Sequence, residues 1–413
     1  MELIVLLLPF VLVLGLCLWI FRIKPWFGKW LVAFSADAML FIGMFISIFI
    51  IAFSTPNSSG YNIFIFVGTV LLMIAIPLAV FGKLRNKLLS VPLAIAIFAC
   101  IGALGGMYAY EVYDDSVPTV GESQNLLYQY IPYEEDTKAV SLDAPSSLTI
   151  NEDMPRMDGA TALYPIYASF AKAVYPMSTE AEKKKAESTV ICSTTTGAYQ
   201  RIVTGEVDII FVAGPSQEQE QYATDRGVEL VFTPIGREAF VFFVNSKNPI
   251  EDINLSQVQG IYSGEVTKWS ELGVSGIGDI RPFQRDEGSG SQTSLEKLMA
   301  GKKLIEPPTE DVIDGMGGII SKTSDYKNYK NAIGYSFRFY STEMVKNNQI
   351  KLLSINGVAP TVENIENGTY PIASYFYAVT RSDASDNTKQ LLEWILSEQG
   401  QTIIEKVGYV PLK

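Results

Sequence analysis

Four apolar runs near the N-terminus most constrain how this chain folds. Each is about 20 residues long, the length that an α-helix needs to cross a hydrocarbon core of about 30 Å. The runs cover residues 2–21, 31–53, 61–81 and 88–109. The first run lacks the positively charged start of a signal peptide, and three further runs follow it. The sequence therefore predicts a transmembrane region of four retained helices in residues 1–110.

The loops between these runs predict the orientation of the helices. The loops after the first and the third run are basic, with Arg22, Lys24 and Lys29 in one and Lys83, Arg85 and Lys87 in the other. Loops on the cytoplasmic side are enriched in Lys and Arg. The N-terminus and the whole chain after Tyr110 are therefore predicted to lie outside. The protein is expected to be a multi-pass protein of the cell membrane with an extracytoplasmic soluble part.

Charge and composition exclude several classes of function. The net charge is −12, and residues 1–110 hold six basic and only two acidic side chains, so the soluble part is strongly acidic. An acidic domain repels a phosphate backbone, and nucleic acid is not expected as a partner. The chain contains no histidine, which excludes Ser-His-Asp and Cys-His nucleophiles and His-containing metal sites. We predict no catalytic residue, no metal and no cofactor.

From about residue 145, short β-rich runs alternate with amphipathic helices. Helices are expected over Pro165–Ala173, from Ser178 and Thr179 onward, and over Gly197–Thr204 and Asn387–Ser397. Strands are expected over Thr189–Ser193, Val207–Val212, Phe240–Val244 and Tyr375–Thr380. This alternation predicts an α/β domain with mainly parallel sheets and helices on both faces. Residues 111–149 are interpreted as an extracytoplasmic linker.

The longest candidate binding segment runs from Arg285 to Glu296. In α/β sheets, ligands bind beyond the carboxyl ends of the strands, where the N-termini of helices point. Glycines let the backbone approach a ligand, hydroxyls donate hydrogen bonds, and the planar guanidinium of arginine meets two oxygens of an anion. The candidate groups are Arg285, Gly288, Ser289, Gly290, Ser291 and Thr293. The alternative is an ordinary helix start in which Thr293 and Glu296 form a capping box.

Two further polar turns precede helices. In Asp158–Ala162, the hydroxyl of Thr161 and the amide of Ala162 are candidate donors. In Cys192–Gly197, Thr194 and Thr195 take that place. Each turn alone is explained by the preference for Ser and Thr at N-caps. Three such turns in one α/β domain, with an arginine in the longest, favour a site for an oxyanion.

Five segments in this order carry a resemblance to a known family. They are Asp158–Thr161, Thr194–Gly197, Val207–Ile210, Ile261–Trp269 and Arg285–Ser291. Over roughly residues 150–413, the chain resembles the phosphate-binding proteins that feed ABC phosphate transporters, in the type II periplasmic-binding-protein superfamily. The blocks Tyr-Ser-Gly with a following Trp, and Arg-x-Glu-Gly-Ser-Gly-Ser, are together fairly specific for that family.

The resemblance implies two lobes that close on the anion. A solute-binding domain over 150–413 would consist of lobe one, 150–244 with 371–413, and lobe two, 245–370. Lobe one would bind through Thr161, the amide of Ala162, and Thr194. Lobe two would bind through Arg285, Ser289, Gly290 and Ser291, with Glu287 orienting the arginine. The implied function is a membrane-anchored, non-enzymatic receptor that captures inorganic phosphate or a similar oxyanion for an ABC transporter permease.

The sequence departs from this family in two respects. The family usually has an aspartate that accepts the proton of hydrogen phosphate, whereas Phe211–Pro215 contains no carboxylate, so Glu287 is a candidate for that role. Family members are also typically secreted or lipidated, without four membrane spans. Two other functions remain open: a sensor that signals through the helices, and an enzyme that acts on a phosphorylated small molecule.

Overall fold

The structure, a computed structural model, is described in two compact units of the chain. It describes residues 25–54, 58–117, 119–120, 125–306, 312–313, 326–344 and 349–412. One compact unit is Met1–Val117 and the other is Pro118–Lys413. The first predicted transmembrane run, residues 2–21, lies outside the described residues.

The N-terminal unit contains three long apolar helices, α1 (Pro25–Ser54), α2 (Ser58–Val80) and α3 (Lys87–Ser116). Each is long and apolar enough to cross a membrane. Large apolar side chains are exposed along them, including Trp26 and Phe34 at 75 % each, as expected for surfaces that face lipid. The second, third and fourth predicted runs are confirmed as apolar helices.

The C-terminal unit contains ten further α-helices among the residues that the structure describes. They are α4 (Asn125–Tyr128), α5 (Tyr164–Val174), α6 (Glu180–Glu187), α7 (Thr194–Thr204), α8 (Gln217–Asp225), α9 (Leu255–Ser263), α10 (Gly290–Leu298), α11 (Val362–Glu366), α12 (Asp386–Leu396) and α13 (Glu398–Val407). The helix predicted from Ser178 and Thr179 onward is confirmed as α6, which begins with a capping box: Thr179 accepts from the backbone N–H of Glu182, and the Glu182 side chain accepts from the backbone N–H of Thr179. The helices predicted from Pro165 and Asn387 are confirmed within two residues at each end.

The same unit contains one large sheet and several two-stranded pairs. The strands are β1 (Thr119–Val120), β2 (Met157–Gly159), β3 (Ile209–Val212), β4 (Leu230–Asn245), β5 (Asp252–Ile253), β6 (Arg281–Pro282), β7 (Gln284–Arg285), β8 (Val312–Ile313), β9 (Tyr326–Lys327), β10 (Ala332–Phe337), β11 (Ile350–Leu352), β12 (Ser354–Ile355), β13 (Ala373–Arg381) and β14 (Val410–Pro411). The large sheet has the order β2-β3-β13-β4-β10-β6, and β11 and β14 also pair with β4. β1 pairs with β9, β5 with β12, and β7 with β8.

The prediction of mainly parallel sheets is wrong for the large sheet, which is mixed. Only β2–β3 and β10–β6 are parallel in it, whereas β13 and β10 both run antiparallel to β4. The reason is the length of β4, whose 16 residues pair with β13 in the first part and with β10 in the second. Our predicted strand Phe240–Val244 covered only the second part, because Arg237 and Glu238 interrupt the apolar pattern.

β4 passes through two halves of the C-terminal unit, which we call the binding unit because it contains the predicted binding turns. We call the region around the cores of α5, α7 and β3 the first half, which buries Phe170, Tyr199 and Phe211. The region around α9, α10 and β10 is the second half, which buries Tyr262 and Trp269. Residues of β4 contribute to both cores. One continuous strand therefore joins the halves.

The predicted domain boundaries stay a prediction, but two segments near them have defined structure. α3 continues through Ser116, beyond the predicted membrane boundary at residue 110. Within the predicted linker 111–149, Ala139 is buried in the core of the first half, and Val140 and Leu142 pack against that core. Part of this segment therefore belongs structurally to the binding unit.

Gly159 lies where β2 leaves the sheet, and a side chain there has no room. A Cβ atom on Gly159 would lie 2.4 Å from the carbonyl oxygen of Phe211 and 3.0 Å from the ring of Tyr167. We expect Gly159→Ala to lower the free energy of unfolding by about 1–3 kcal/mol, the usual cost of overpacking a core. Thermal unfolding of the full chain in detergent measures this. Gly105→Ala, where a Cβ would have nothing within 4 Å, is the control, and an equal midpoint for both variants would contradict the expectation.

Candidate oxyanion-binding site

A small cavity lies where the three predicted turns come together. Its volume is about 60 Å³, several times the 10–15 Å³, roughly, that one water molecule needs. It is lined by Ala160, Thr161, Ala162, Thr194, Thr195, Thr196, Arg285, Asp286, Ser289, Gly290, Ser291, Ser336, Phe337 and Tyr340. Eight of the ten predicted ligand-binding residues are in this set, and Glu287 and Gly288 are not. That these residues bind a ligand stays a prediction.

The start of α10 presents backbone amides to this cavity. The helix begins at Gly290, with Ser289 as its N-cap, and the Gln292 N–H donates to Ser289 Oγ at 3.2 Å. The alternative in which Thr293 caps the helix is therefore wrong, because Thr293 lies inside the first turns. The N–H groups of the first residues of a helix have no partner within the helix. The amides of Gly290 and Ser291 are thus available beside the cavity, at the positive end of the helix dipole.

α7 begins at Thr194, three residues before the predicted start at Gly197. Thr194 has a φ of 67°, a left-handed conformation that costs a non-glycine residue about 1–3 kcal/mol. The strand predicted over Thr189–Ser193 is reduced to a single bridge between Val190 and Met157. Thr194, Thr195 and the neighbouring Thr196, at the start of α7, all line the cavity.

Asp158 connects the turn Asp158–Ala162 to the turn Cys192–Gly197. Its carboxylate is fully buried and accepts hydrogen bonds from the Gly159 N–H at 2.8 Å, from the Ser193 N–H at 2.7 Å, and from the Ser193 hydroxyl. The Arg201 guanidinium lies 3.7 Å away. Burial raises the pKa of Asp158, while the hydrogen bonds from Ser193 act in the opposite direction. Asp158 therefore holds the turns that carry Thr161 and Thr194 in place.

Sequence reasoning placed Asp158 in a turn but gave it no role. The only signal for that role is an acidic residue at the end of a β-strand, directly before a glycine. Its partner Ser193 is 35 residues away, and no local pattern identifies such a pair.

Arg285 is the cation of the site. Its side chain is 11 % exposed, and its Nε lies 3.9 Å from an Asp286 carboxylate oxygen. Its backbone N–H donates to Tyr335 Oη at 2.9 Å and to Gln292 Oε1 at 3.1 Å. Tyr335 in turn donates to Gln292. The second half thus fixes the position of the arginine through buried polar groups.

A carboxylate oxygen of Asp286 lies 3.9 Å from Arg285. The role predicted for Glu287 in orienting the arginine stays a prediction. Asp286 also lines the cavity, and Glu287 does not. Glu287 lies in the turn that precedes α10, at a position that does not line the cavity. A motif comparison alone does not resolve which of the two acids lines the cavity.

The arrangement suits a small anion. One guanidinium, several hydroxyls and two helix N-termini face one cavity, and these groups donate hydrogen bonds to oxygen atoms. Within the part of the chain that the structure describes, no group of three His, Cys, Asp or Glu side chains is arranged to hold a metal ion.

Comparison with known proteins places this architecture in a family. The profile of the PBP superfamily domain matches residues 146–399. The chain belongs to the PBP superfamily. The periplasmic-binding-protein-like fold class predicted from the sequence is therefore confirmed.

Curated relatives of this PBP chain include two phosphate-binding proteins named PstS. The protein from Bacillus subtilis is 30% identical over 171 residues, which cover 41% of this chain and 53% of the relative. The protein from Pseudomonas aeruginosa is 27% identical over 213 residues, 47% of this chain and 64% of the relative. The chain thus spans between half and two thirds of the length of these relatives.

A solved structure similar to this PBP chain is an ABC-type phosphate transport receptor from Vibrio cholerae. Its sequence is 22% identical to this chain, and the two structures superpose with a TM-score of 0.46. The superposition covers 62% of this chain and 99% of the Vibrio cholerae chain.

Proposed function

We propose that this chain is a membrane-anchored, extracytoplasmic solute-binding protein that captures phosphate or a similar oxyanion for an ABC transporter permease. The observation that carries the proposal is the convergence of Arg285 and the first turns of α7 and α10 on one cavity. The names of the curated relatives, which are phosphate-binding proteins, support the same ligand.

The size and polarity of the cavity support a small tetrahedral ion. About 60 Å³ accommodates an ion of a few heavy atoms, whereas drug-sized ligands occupy pockets of roughly 300–1,000 Å³. Fixed amides and hydroxyls replace the hydration shell of the ion, and the guanidinium balances its charge. The acidic net charge of the domain does not oppose this, because charges beyond about 8–10 Å are screened.

Asp286 narrows the class of anion. A carboxylate beside an anion repels it unless the anion carries a proton to donate. Hydrogen phosphate and hydrogen arsenate carry such a proton at neutral pH, and sulfate does not. We therefore assign to Asp286 the acceptor role for which Glu287 was the candidate in the sequence. The ligand class is a protonated tetrahedral oxyanion.

The membrane region supports an extracytoplasmic location of the domain. The three apolar helices α1–α3 support a membrane anchor. The basic loop containing Lys83, Arg85 and Lys87 supports a cytoplasmic position for the connection between α2 and α3. The end of α3, and with it the binding unit, is then on the outer face.

Calorimetric titration of the full chain in lipid nanodiscs tests the proposal. We expect phosphate and arsenate each to bind at one site per chain, and sulfate to bind at least about tenfold more weakly, because a hydrogen bond to a charged group contributes about 1.5–3 kcal/mol. An absence of binding heat with phosphate would contradict the function itself.

Asp286→Asn tests the choice of anion separately. An amide can donate a hydrogen bond to sulfate, so we expect the preference for phosphate over sulfate to fall by about tenfold or more. Glu287→Gln is the control, and it is expected to leave the preference unchanged. If the two variants exchange these results, the acceptor is Glu287 and the assignment of Asp286 is wrong.

A further inference from the structure

The carbonyl oxygen of Gly288 joins the two halves of the binding unit. It accepts a hydrogen bond from Thr196 Oγ1 at 3.1 Å and another from Gln219 Nε2 at 3.1 Å. Thr196 lies in α7 and Gln219 in α8, whose residues Tyr199 and Ala223 pack in a core of the first half. Gly288 precedes α10, which packs in the core of the second half. Two donors of one half therefore converge on one acceptor of the other.

The orientation of the Gln219 amide is set within α8. Gln219 Oε1 accepts from the Ser216 N–H at 3.0 Å, and Ser216 Oγ accepts from the Gln219 N–H at 3.2 Å, which together form a capping box. The oxygen of the amide is thereby engaged at the helix start. The nitrogen is left on the side of Gly288, so a local helix cap aims a donor at the opposite half. Gln219 is 8 % exposed.

The backbone at Gly288 is shaped for this contact. Its φ of 78° is a conformation that favours glycine. A Cβ atom on Gly288 would lie 3.0 Å from Thr196 Oγ1. Both facts allow close approach of the two halves at this carbonyl.

Gln219 is not among the residues that line the cavity. Gly288, whose carbonyl oxygen accepts its hydrogen bond, lies in the Arg285–Ser291 loop. Gly288 lies between Arg285 and Ser289, which both line the cavity. We infer that Gln219, with Thr196, is a positioning residue that latches the Arg285–Ser291 loop to the first half and slows the release of a bound oxyanion. The inference rests on the proposed function.

The hydrogen bonds to Gly288 slow release because they exist only when the two halves are together. An interaction present in one conformation and absent in another shifts the equilibrium toward the first by its own free energy. The anion leaves only after the halves separate, so the latch acts on the dissociation rate. The association rate, which is limited by encounter with the open site, is expected to stay unchanged.

The experiment uses the full chain in lipid nanodiscs loaded with radiolabelled phosphate. Release is followed after addition of excess unlabelled phosphate, for wild type, Gln219→Met and Gln219→Glu. Gln219→Glu keeps the acceptor for Ser216 but adds a charge, whereas Gln219→Met adds no charge but loses that acceptor. The change that the two variants share is the loss of the Nε2 donor. Thermal unfolding of each variant establishes that it is folded.

We expect both variants to release phosphate about 2- to 12-fold faster than wild type, the effect of one hydrogen bond. The matched control is Gln221→Met in the same helix, whose amide donates to Asp225 in its own helix; its release rate is expected to equal that of wild type. If both Gln219 variants are folded and release phosphate at the wild-type rate, the latch is refuted while the proposed function stands. If wild type itself retains no phosphate, the proposed function fails first.

Discussion

Arg285→Ala is expected to weaken phosphate binding by about 2–5 kcal/mol, a fall in affinity of roughly 30- to 5,000-fold. The guanidinium is the cation of the cavity and is only 11 % exposed. Its removal leaves the Asp286 carboxylate beside the anion with no positive charge between them. Isothermal titration of the full chain in nanodiscs measures the loss.

Two further variants test the reason for that effect. Arg285→Lys retains the charge but not the planar fork that contacts two oxygens, so we expect an intermediate loss. Arg226→Ala is the control, because Arg226 lies over the ring of Tyr222 at 3.7 Å, outside the set of cavity-lining residues. Wild-type affinity in Arg285→Ala would remove the central group of the proposed site.

Glu238→Gln is expected to raise the free energy of unfolding at pH 8 by about 3 kcal/mol and to leave it unchanged at pH 4. Glu238 is a buried residue of β4, 5 % exposed, whose carboxylate accepts from the Ala239 N–H at 2.8 Å. Burial raises its pKa to about 7, while that hydrogen bond and the charge of Arg338 act in the opposite direction.

The sign of the pH effect on the free energy of unfolding follows from the pKa of Glu238 in the unfolded and in the folded chain. The unfolded chain ionises Glu238 near its ordinary value of 4.5, whereas the folded chain keeps the proton up to about pH 7. The native state therefore loses stability as the pH rises from about 4.5 to 7, and the loss is complete above that window. Glutamine has no charge to bury and removes this dependence.

Denaturant unfolding of Glu238→Gln at pH 4, 6 and 8 measures the effect. Glu229→Gln, an exposed glutamate just before β4, is the control and is expected to follow the wild-type pH profile. A Glu238→Gln variant whose stability parallels wild type at all three pH values would show that the buried carboxylate does not carry the proton.

The candidate ligands in Asp158–Ala162 and in Arg285–Ser291 could be predicted from the sequence because their chemistry is local. Ser289 and Ser291 stand next to glycines, and Thr161 follows Gly159 by two residues. All three stand directly before or within a helix start, and capping preferences act over three or four residues. The groups that sequence reasoning missed act over long separations. Gln219 reaches Gly288 across 69 residues.

The alternation of apolar residues predicted some strands of the large sheet but not all of their length. It identified β3, which is short and buried throughout, and most of β13. It found only the second part of β4, because Arg237 and the buried Glu238 interrupt the apolar pattern of that strand. A hydropathy pattern counts every glutamate as charged, but a buried carboxyl group that retains its proton has no charge. Hydropathy does not contain that distinction.

The amino-acid sequence by itself determined the three apolar helices of the N-terminal unit, the α/β character of the C-terminal unit and the identity of three anion-compatible turns. Each of these depends on composition or on neighbours within about one helical turn. The tertiary structure alone decided that the large sheet is mixed, that Asp286 faces the cavity, and that the turns at Thr161, Thr194 and Ser289 converge. Such convergence depends on packing between segments far apart in the chain, and long-range contacts leave no periodic trace in a single sequence.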